Sequence, residues 1–563
     1  MVLKKDRTLE KFSAMALVLI IALSLLTGCT VSNKGSVNEN TSSTEKAMQS
    51  LTTAQTTAPR MEKLTIALSA LPTVENYDTN YFTKMVENDM KIDFEFILLP
   101  ANKNDAKTKF SLMVSSGSEL PDVLNMPIGK MVALDYASKG IFVKLNDYLA
   151  DPVLAKNFLN IPKKDREYVY QNLKLADGNI YSLFSFTPFE WNEARNRFWI
   201  NKTWLQKMNM NKPTTTDEFY EVLKAFVNND PNGNGKKDEI GVVGAKEGWG
   251  QRPFDFLMNA FIYADTNKSF FSVENGIIKA SFIQPEWKEG LIYMNKLCKE
   301  NLLSPLSFTQ DLTQLKALIN VAGGMAGVVA SGSFSVFGPE INNDMTLMAP
   351  LTGPKGVSYT PYTPTLPVDY WYITKDCENP EQAFIIGDYM LSEICFKTNR
   401  FGEKGVDWTD DPEICSQWMG SFEELLGIKP KLVQLNNIWS KPQNKHWNGE
   451  APKYQSRDTA REEATIKKSE AATTTNFTAQ HYLEYVPKFP KEVISDFPYT
   501  KEEIEQIANI KTTIDAYVYD MAVAFITGNK SLSEWDNYLK ELDKMGLNEY
   551  IAVSQKAYER TIK

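Results

Sequence analysis

Hydrophobic positions along the chain change period three times. Phe12 to Leu26 is an almost unbroken apolar run of 15 residues behind Lys4, Lys5, Arg7 and Lys11. It is short for a bilayer core of about 30 Å, but it suits the core of a secretion signal. Order is expected from Met61. Leu64–Leu68 predicts a strand and Tyr81–Asp89 a helix. Ile92, Phe94, Phe96 and Leu98 then alternate with polar or smaller residues, the period of a second strand. Asp105–Ser116 predicts a helix and Pro121–Leu124 a short third strand. Strands alternating with helices in this way predict an α/β lobe with parallel pairing.

From about Phe198 the texture is mostly helical. Trp204–Met208 and Thr216–Asn228 predict helices, the second behind Pro213 and a Thr214-Thr215-Thr216 cap. Glu286–Glu300, Leu312–Asn320 and Pro380–Glu393 continue the pattern, and Lys501–Tyr558 is strongly helical. Gly323–Ala330 and Tyr370–Ile373 read as strands, separated by a Pro- and Gly-rich loop from Ala349 to Pro367. No repeat and no second apolar span is present.

Composition narrows the function classes. The 563 residues carry a net charge of -9, so the basic footprint of a nucleic-acid binder is missing. Thr30 to Arg60 is rich in Ser and Thr and nearly free of bulky apolar residues, which predicts a flexible tether. Between signal and tether stands Leu26-Thr27-Gly28-Cys29, a lipobox-like sequence. Acylation of Cys29 would anchor the mature chain, because two or three acyl chains on one residue hold where one does not. The other cysteines, Cys298, Cys377, Cys395 and Cys415, form no C-x-x-C pair. They are either free buried thiols or pairs in one of three connectivities.

Asp230-Pro-Asn-Gly-Asn-Gly-Lys-Lys-Asp-Glu239 places oxygen donors at the spacing that wraps a chain around a hard cation. Asp230, Asn232 and Asn234 would ligate through side-chain oxygens and Lys236 through its carbonyl, with Asp238 and Glu239 completing the shell. The expected ion is a structural Ca²⁺. The departure from an EF-hand is Gly241 where a bidentate Glu belongs. No zinc, nucleophile-elbow or dinucleotide motif is present. His446 and His481 are the only histidines.

Several stretches together resemble one family, the large extracellular solute-binding lipoproteins of Gram-positive bacteria that feed oligosaccharides to ABC importers. They run in order through Ser115–Asp122, Gly178–Tyr181, Phe198–Leu205, Asp217–Phe219, the Asp230 loop, Ala349–Gly356, Asn379–Glu381, Arg400–Gly405, Phe525–Lys530 and Met545–Tyr550. The resemblance implies an α/β periplasmic-binding-protein-like fold, two lobes joined by a hinge with the ligand cleft between them. Lobe 1 would comprise 62–190 and 368–430, and lobe 2 would comprise 191–367 and 431–563, after a signal at 1–28 and a tether at 29–61. It also implies that the Asp230 loop binds calcium far from the sugar, as in related alginate- and oligosaccharide-binding proteins. The protein is expected to be a monomer at the extracellular face of the membrane, handing its sugar to permease subunits without cleaving it. Sugar rings stack on aromatic faces and offer hydroxyls at their rims. Trp191, Trp249, Phe334, Tyr370 and Trp371 are therefore the expected stacking residues, with Asn125 at the end of a strand. The rival readings are a secreted glycosidase or polysaccharide lyase on the same anchor, and a peptide-binding lipoprotein; turnover of a glycan would separate them.

Overall fold

The computed structural model describes residues 62–439, 442–470 and 476–561. The secretion signal, Cys29 and the tether therefore lie outside the described residues. Two large hydrophobic cores organise most of the rest, with a smaller cluster that includes Ala67, Leu124 and Tyr372 beside the first. The first surrounds a six-stranded sheet in the order Lys453–Tyr454, Ser182–Phe186, Val368–Ile373, Val123–Leu124, Lys63–Ser69 and Asp93–Leu99. Val368–Ile373 runs antiparallel to both its neighbours, and the other pairings are parallel. The parallel strands thus end on one edge, carrying Ser69, Asn125 and Phe186 to the same side. Local chemistry sets the helices between them. Asn80 caps Tyr81–Met90, and Asn102 and Gly117 bound Lys103–Ser116.

The second core surrounds a four-stranded sheet in the order Met345–Met348, Phe198–Asn201, Ala326–Ala330 and Ile240–Val243. Helix Thr216–Asn228 buries Phe219, Val222, Leu223 and Phe226 against it and begins with a capping box of Thr215 and Glu218. Thr215→Ala is expected to cost about 1 kcal/mol, read as a lower denaturation midpoint with unchanged slope. The helical tail breaks at Gly528 and Gly546, whose φ values of 81° and 93° end a helix cheaply. It becomes the helices Lys501–Thr527, Trp535–Lys544 and Leu547–Glu559. Pro380–Glu393 likewise ends early, at Met390, and a new helix capped by Ser392 begins at Glu393. The four cysteines are buried and free.

The expected boundary at 430/431 differs from the packing observed. Trp447 lies in the first core, its indole N–H donating to Thr83 Oγ1 at 2.7 Å, and Lys453–Tyr454 forms the edge strand of the first sheet. A two-residue strand has no readable period, so this return to the first lobe leaves no pattern in the sequence. A small sheet of Trp408–Thr409, Leu432–Gln434, Glu463–Lys467 and Trp418–Gly420 follows the same excursion. The chain therefore passes between the cores three times, through 187–197, through 352–367 and again after Tyr454.

Candidate functional site

On the second lobe, two parallel strands deliver their loops to one edge. Ile240–Val243 leads to Trp249, and Ala326–Ala330 leads to Gly332 and Phe334. Gly332 N–H donates to the Trp249 carbonyl at 2.8 Å. A Cβ on Gly332 would stand 2.5 Å from a Trp249 ring carbon, so glycine is what lets the indole lie over the backbone. Trp249 remains 36% exposed. Arg197 lies beside this platform, fully buried, with its guanidinium 3.7 Å from the Trp191 ring centre and 5.4 Å from that of Trp249. It donates to the carbonyls of Gly332 and Trp191. Burial pushes its pKa down to about 9. His481, 3.4 Å away, is held well below the ordinary histidine range by burial and by Arg197, and its neutral ring donates Nε2–H to the Ala194 carbonyl at 3.1 Å. Half-buried Phe334 packs 4.7 Å from Phe477 and 5.0 Å from Trp199.

On the first lobe, the corresponding edge is polar. Asn125 donates Nδ2–H to the Glu450 carbonyl at 2.8 Å, while its Oδ1 and the Oγ of Ser69 are buried with no hydrogen-bond partner. Such oxygens cost about 1–3 kcal/mol each, and both stand at ends of parallel strands, where α/β sheets place ligands. Tyr77 donates its hydroxyl to the Ser69 carbonyl at 3.0 Å, and burial pushes its pKa up to about 12. Tyr370 is buried close by, its phenol pushed up by burial and then by Glu450 and Asp369. The Glu450 carboxylate meets Lys103 at 2.8 Å.

Trp371 is the correction. Its φ of 61° falls where the pairing register of Val368–Ile373 shifts, and the ring turns into the core. It is 0% exposed and its indole N–H donates to the Ala383 carbonyl at 2.9 Å, so it presents nothing to a ligand. The structure therefore groups Trp191, Trp249 and Phe334 around Arg197 and Trp199 on the second lobe, places Asn125 and Tyr370, both buried, near Glu450 on the first, and turns Trp371 into the core. Sequence reasoning passes over Ser69, which lies one residue beyond the strand expected at Leu64–Leu68 and ends the strand Lys63–Ser69 in the structure.

The Asp230 loop sits on the second lobe. The Asp230 carboxylate accepts from Gly233 at 2.8 Å, Asn234 at 3.0 Å and Gly235 at 2.8 Å, and these amides, Gly235 foremost, hold it below the usual carboxylate range. Asn232 accepts from Asn234 N–H at 2.9 Å, Asn234 accepts from Lys236 N–H at 2.7 Å, and Asn234 Nδ2–H donates to Asp238 at 3.0 Å. Glu239 is different. Both its oxygens are buried without a partner, and burial, with Asp238 and Asp230 nearby, raises its pKa. Gly241 has no room to serve as the missing ligand, since a Cβ there would stand 2.3 Å from the Leu302 carbonyl oxygen. Among the described residues no three His, Cys, Asp or Glu side chains converge at metal-binding spacing. The donor set thus depends on amide and carbonyl oxygens, and the orphaned Glu239 carboxylate fits a hard cation.

The family described as bacterial extracellular solute-binding protein matches residues 71–393, and this chain belongs to it. The fructooligosaccharide ABC transporter substrate-binding protein FusA of Streptococcus pneumoniae is 25% identical over 98% of each chain. Lipoprotein LipO of Bacillus subtilis is 30% identical over 39% of this chain and 41% of its own. The structure of FusA in complex with kestose is similar at a TM-score of 0.68 and 23% identity, covering 89% of this chain and 99% of that one. A FusA EF-hand mutant in complex with fructo-nystose is similar at 0.67 and 23% identity, with the same coverage. A solute-binding protein of Bifidobacterium longum subsp. infantis gives 0.73 at 22% identity, over 90% and 99% of the two chains. The fold is accordingly the periplasmic-binding-protein-like one, with two α/β lobes and the cleft between them.

Proposed function

We propose that this protein captures an oligosaccharide outside the cell and delivers it, uncut, to the permease of an ABC importer. The observation that carries the reading is the Trp249 platform. Its ring is backed by Gly332, is flanked by Arg197, and keeps one exposed surface at the strand-end edge of the second lobe. An aromatic face suits the apolar face of a sugar ring, and the amide, hydroxyl and carboxylate groups of Asn125, Ser69 and Glu450 suit its hydroxyls. The full-length likeness to FusA supports a fructan-type or similar neutral oligosaccharide. The Leu26–Cys29 sequence supports lipid anchoring through Cys29 at the extracellular face, where the protein would act as a monomer. Asp230, Asn232, Asn234, the Lys236 carbonyl, Asp238 and Glu239 would hold a structural Ca²⁺, whose charge would compensate the buried Glu239 carboxylate.

Thermal melting against kestose, inulin-derived oligomers and maltotriose tests the reading. A sugar present at a hundredfold excess over its Kd adds about 2.7 kcal/mol of stability, and chromatography should recover that sugar intact. Steady accumulation of shorter sugars would instead make the protein a glycosidase.

A further inference from the structure

The three passages between the lobes meet at one ionic node. The first passage contains the short helix Glu190–Glu193, whose two acidic side chains are 5% and 3% exposed by residue. The third contains helix Arg457–Arg461. Arg457 grips Glu193 with both guanidinium arms, at 2.7 and 2.9 Å, and reaches Glu190 at 3.4 Å; Arg461 also donates to Glu190. The second passage joins through backbone amides. Thr365 N–H donates to Glu193 Oε1 at 3.1 Å, and Thr363 N–H donates to the Glu193 carbonyl at 2.9 Å. Tyr168, on a first-lobe helix, donates to the Thr365 carbonyl at 3.2 Å.

We infer that Arg457 and Arg461 are positioning residues for lobe closure. They pin the three passages into a single pivot, so the lobes turn about the node instead of sliding along independent linkers. The planar guanidinium fork fixes orientation as well as distance, and near-complete burial of the two acids keeps the pairs poorly screened. Ser456 and Thr459, at the start of the arginine helix, line a cavity of about 280 Å³ shared with Ile161, Leu391 and Phe396 of the first lobe. Trp191 lies between Glu190 and Glu193 on the same turn, which ties the presentation of a cleft aromatic to the pivot.

The use of this pivot in ligand capture rests on the binding reading above, but its main test needs no ligand. Ketone-bearing residues introduced at Val153 and Ile277, which are exposed and stand one on each lobe, would carry spin labels without touching cysteine. In the ligand-free full chain, the interlobe distance distribution should broaden about twofold in Arg457→Gln and less in Arg457→Lys, which keeps charge but loses the fork. Glu193→Gln, which preserves volume, should match Arg457→Gln and replaces it if that variant fails to fold. A folded Arg457→Gln or Glu193→Gln with an unchanged distribution would overturn the pivot. In a second arm, Arg457→Gln and Trp191→Ala should combine less than additively in their effect on kestose affinity, and additive effects would detach Trp191 from the node. Failure of kestose to bind the wild type would count against a fructan-type ligand alone, since the distance arm stands without it.

Discussion

Replacing Trp249 with alanine is expected to weaken sugar binding about thirtyfold, the roughly 2 kcal/mol carried by a well-packed aromatic anchor. The loss should come from the platform itself, because Trp249 is 36% exposed and contributes little to the core. Gly332→Val provides the structural control. Its side chain would enter the space of the indole, whose nearest ring atom would stand 2.5 Å from a Cβ added at that glycine. It should therefore lift the ring and lose comparable affinity without removing any ligand-contacting atom. Trp371→Phe should behave in the opposite way, lowering the melting temperature while leaving the Kd unchanged, because that ring is wholly buried against the Ala383 carbonyl. Calorimetric titration with kestose, or with whichever oligomer the melting screen selects, reads all three. Equal affinity of Trp249→Ala and wild type would remove the platform from the site and leave Phe334 or Trp191 to carry it.

What the sequence makes legible is whatever repeats locally. The strand–helix–strand rhythm from Leu64 to Leu124, the Thr215 cap and the donor spacing of 230–239 each follow from neighbours within a dozen residues; the structure shows the strands and helices at the first, the capping box at the second, and at the third a loop whose amides close on Asp230. Trp371 departs from its expected role because a single backbone φ of 61° reverses the side a strand residue faces, and alternation cannot register it. Ser69 leaves no trace because an orphaned hydroxyl is a property of packing. The Glu193–Arg457 contact spans 264 residues, and no local period records which carboxylate will meet which guanidinium. Trp249 is partly readable because it stands in the glycine-rich stretch Gly248-Trp249-Gly250, and glycine is the residue that permits close backbone approach. Gly250 bears out the constraint with a φ of 72°, and a Cβ there would stand 2.2 Å from the Arg195 carbonyl oxygen.

Calcium removal should have the other large effect. At a thousandfold excess of Ca²⁺ over its Kd, binding to the folded state alone adds about 4 kcal/mol, so a chelator should lower the melting temperature clearly. Asp230→Ala should ignore the chelator and melt below the chelated wild type, because it also loses the three amide hydrogen bonds that the carboxylate accepts. The sharper test is Glu239→Gln, because its expected effect changes sign. Both Glu239 oxygens are buried without a hydrogen-bond partner, near Asp230 and Asp238. A buried, unpaired carboxylate opposes folding, and its neutral amide opposes it less. With chelator present, Glu239→Gln should therefore be more stable than wild type. With Ca²⁺ present, it should be less stable, having given up a charged ligand that Gly241 cannot replace. If the two melting curves keep the same order in both buffers, Glu239 does not serve the ion, and the loop is held by its own amide hydrogen bonds.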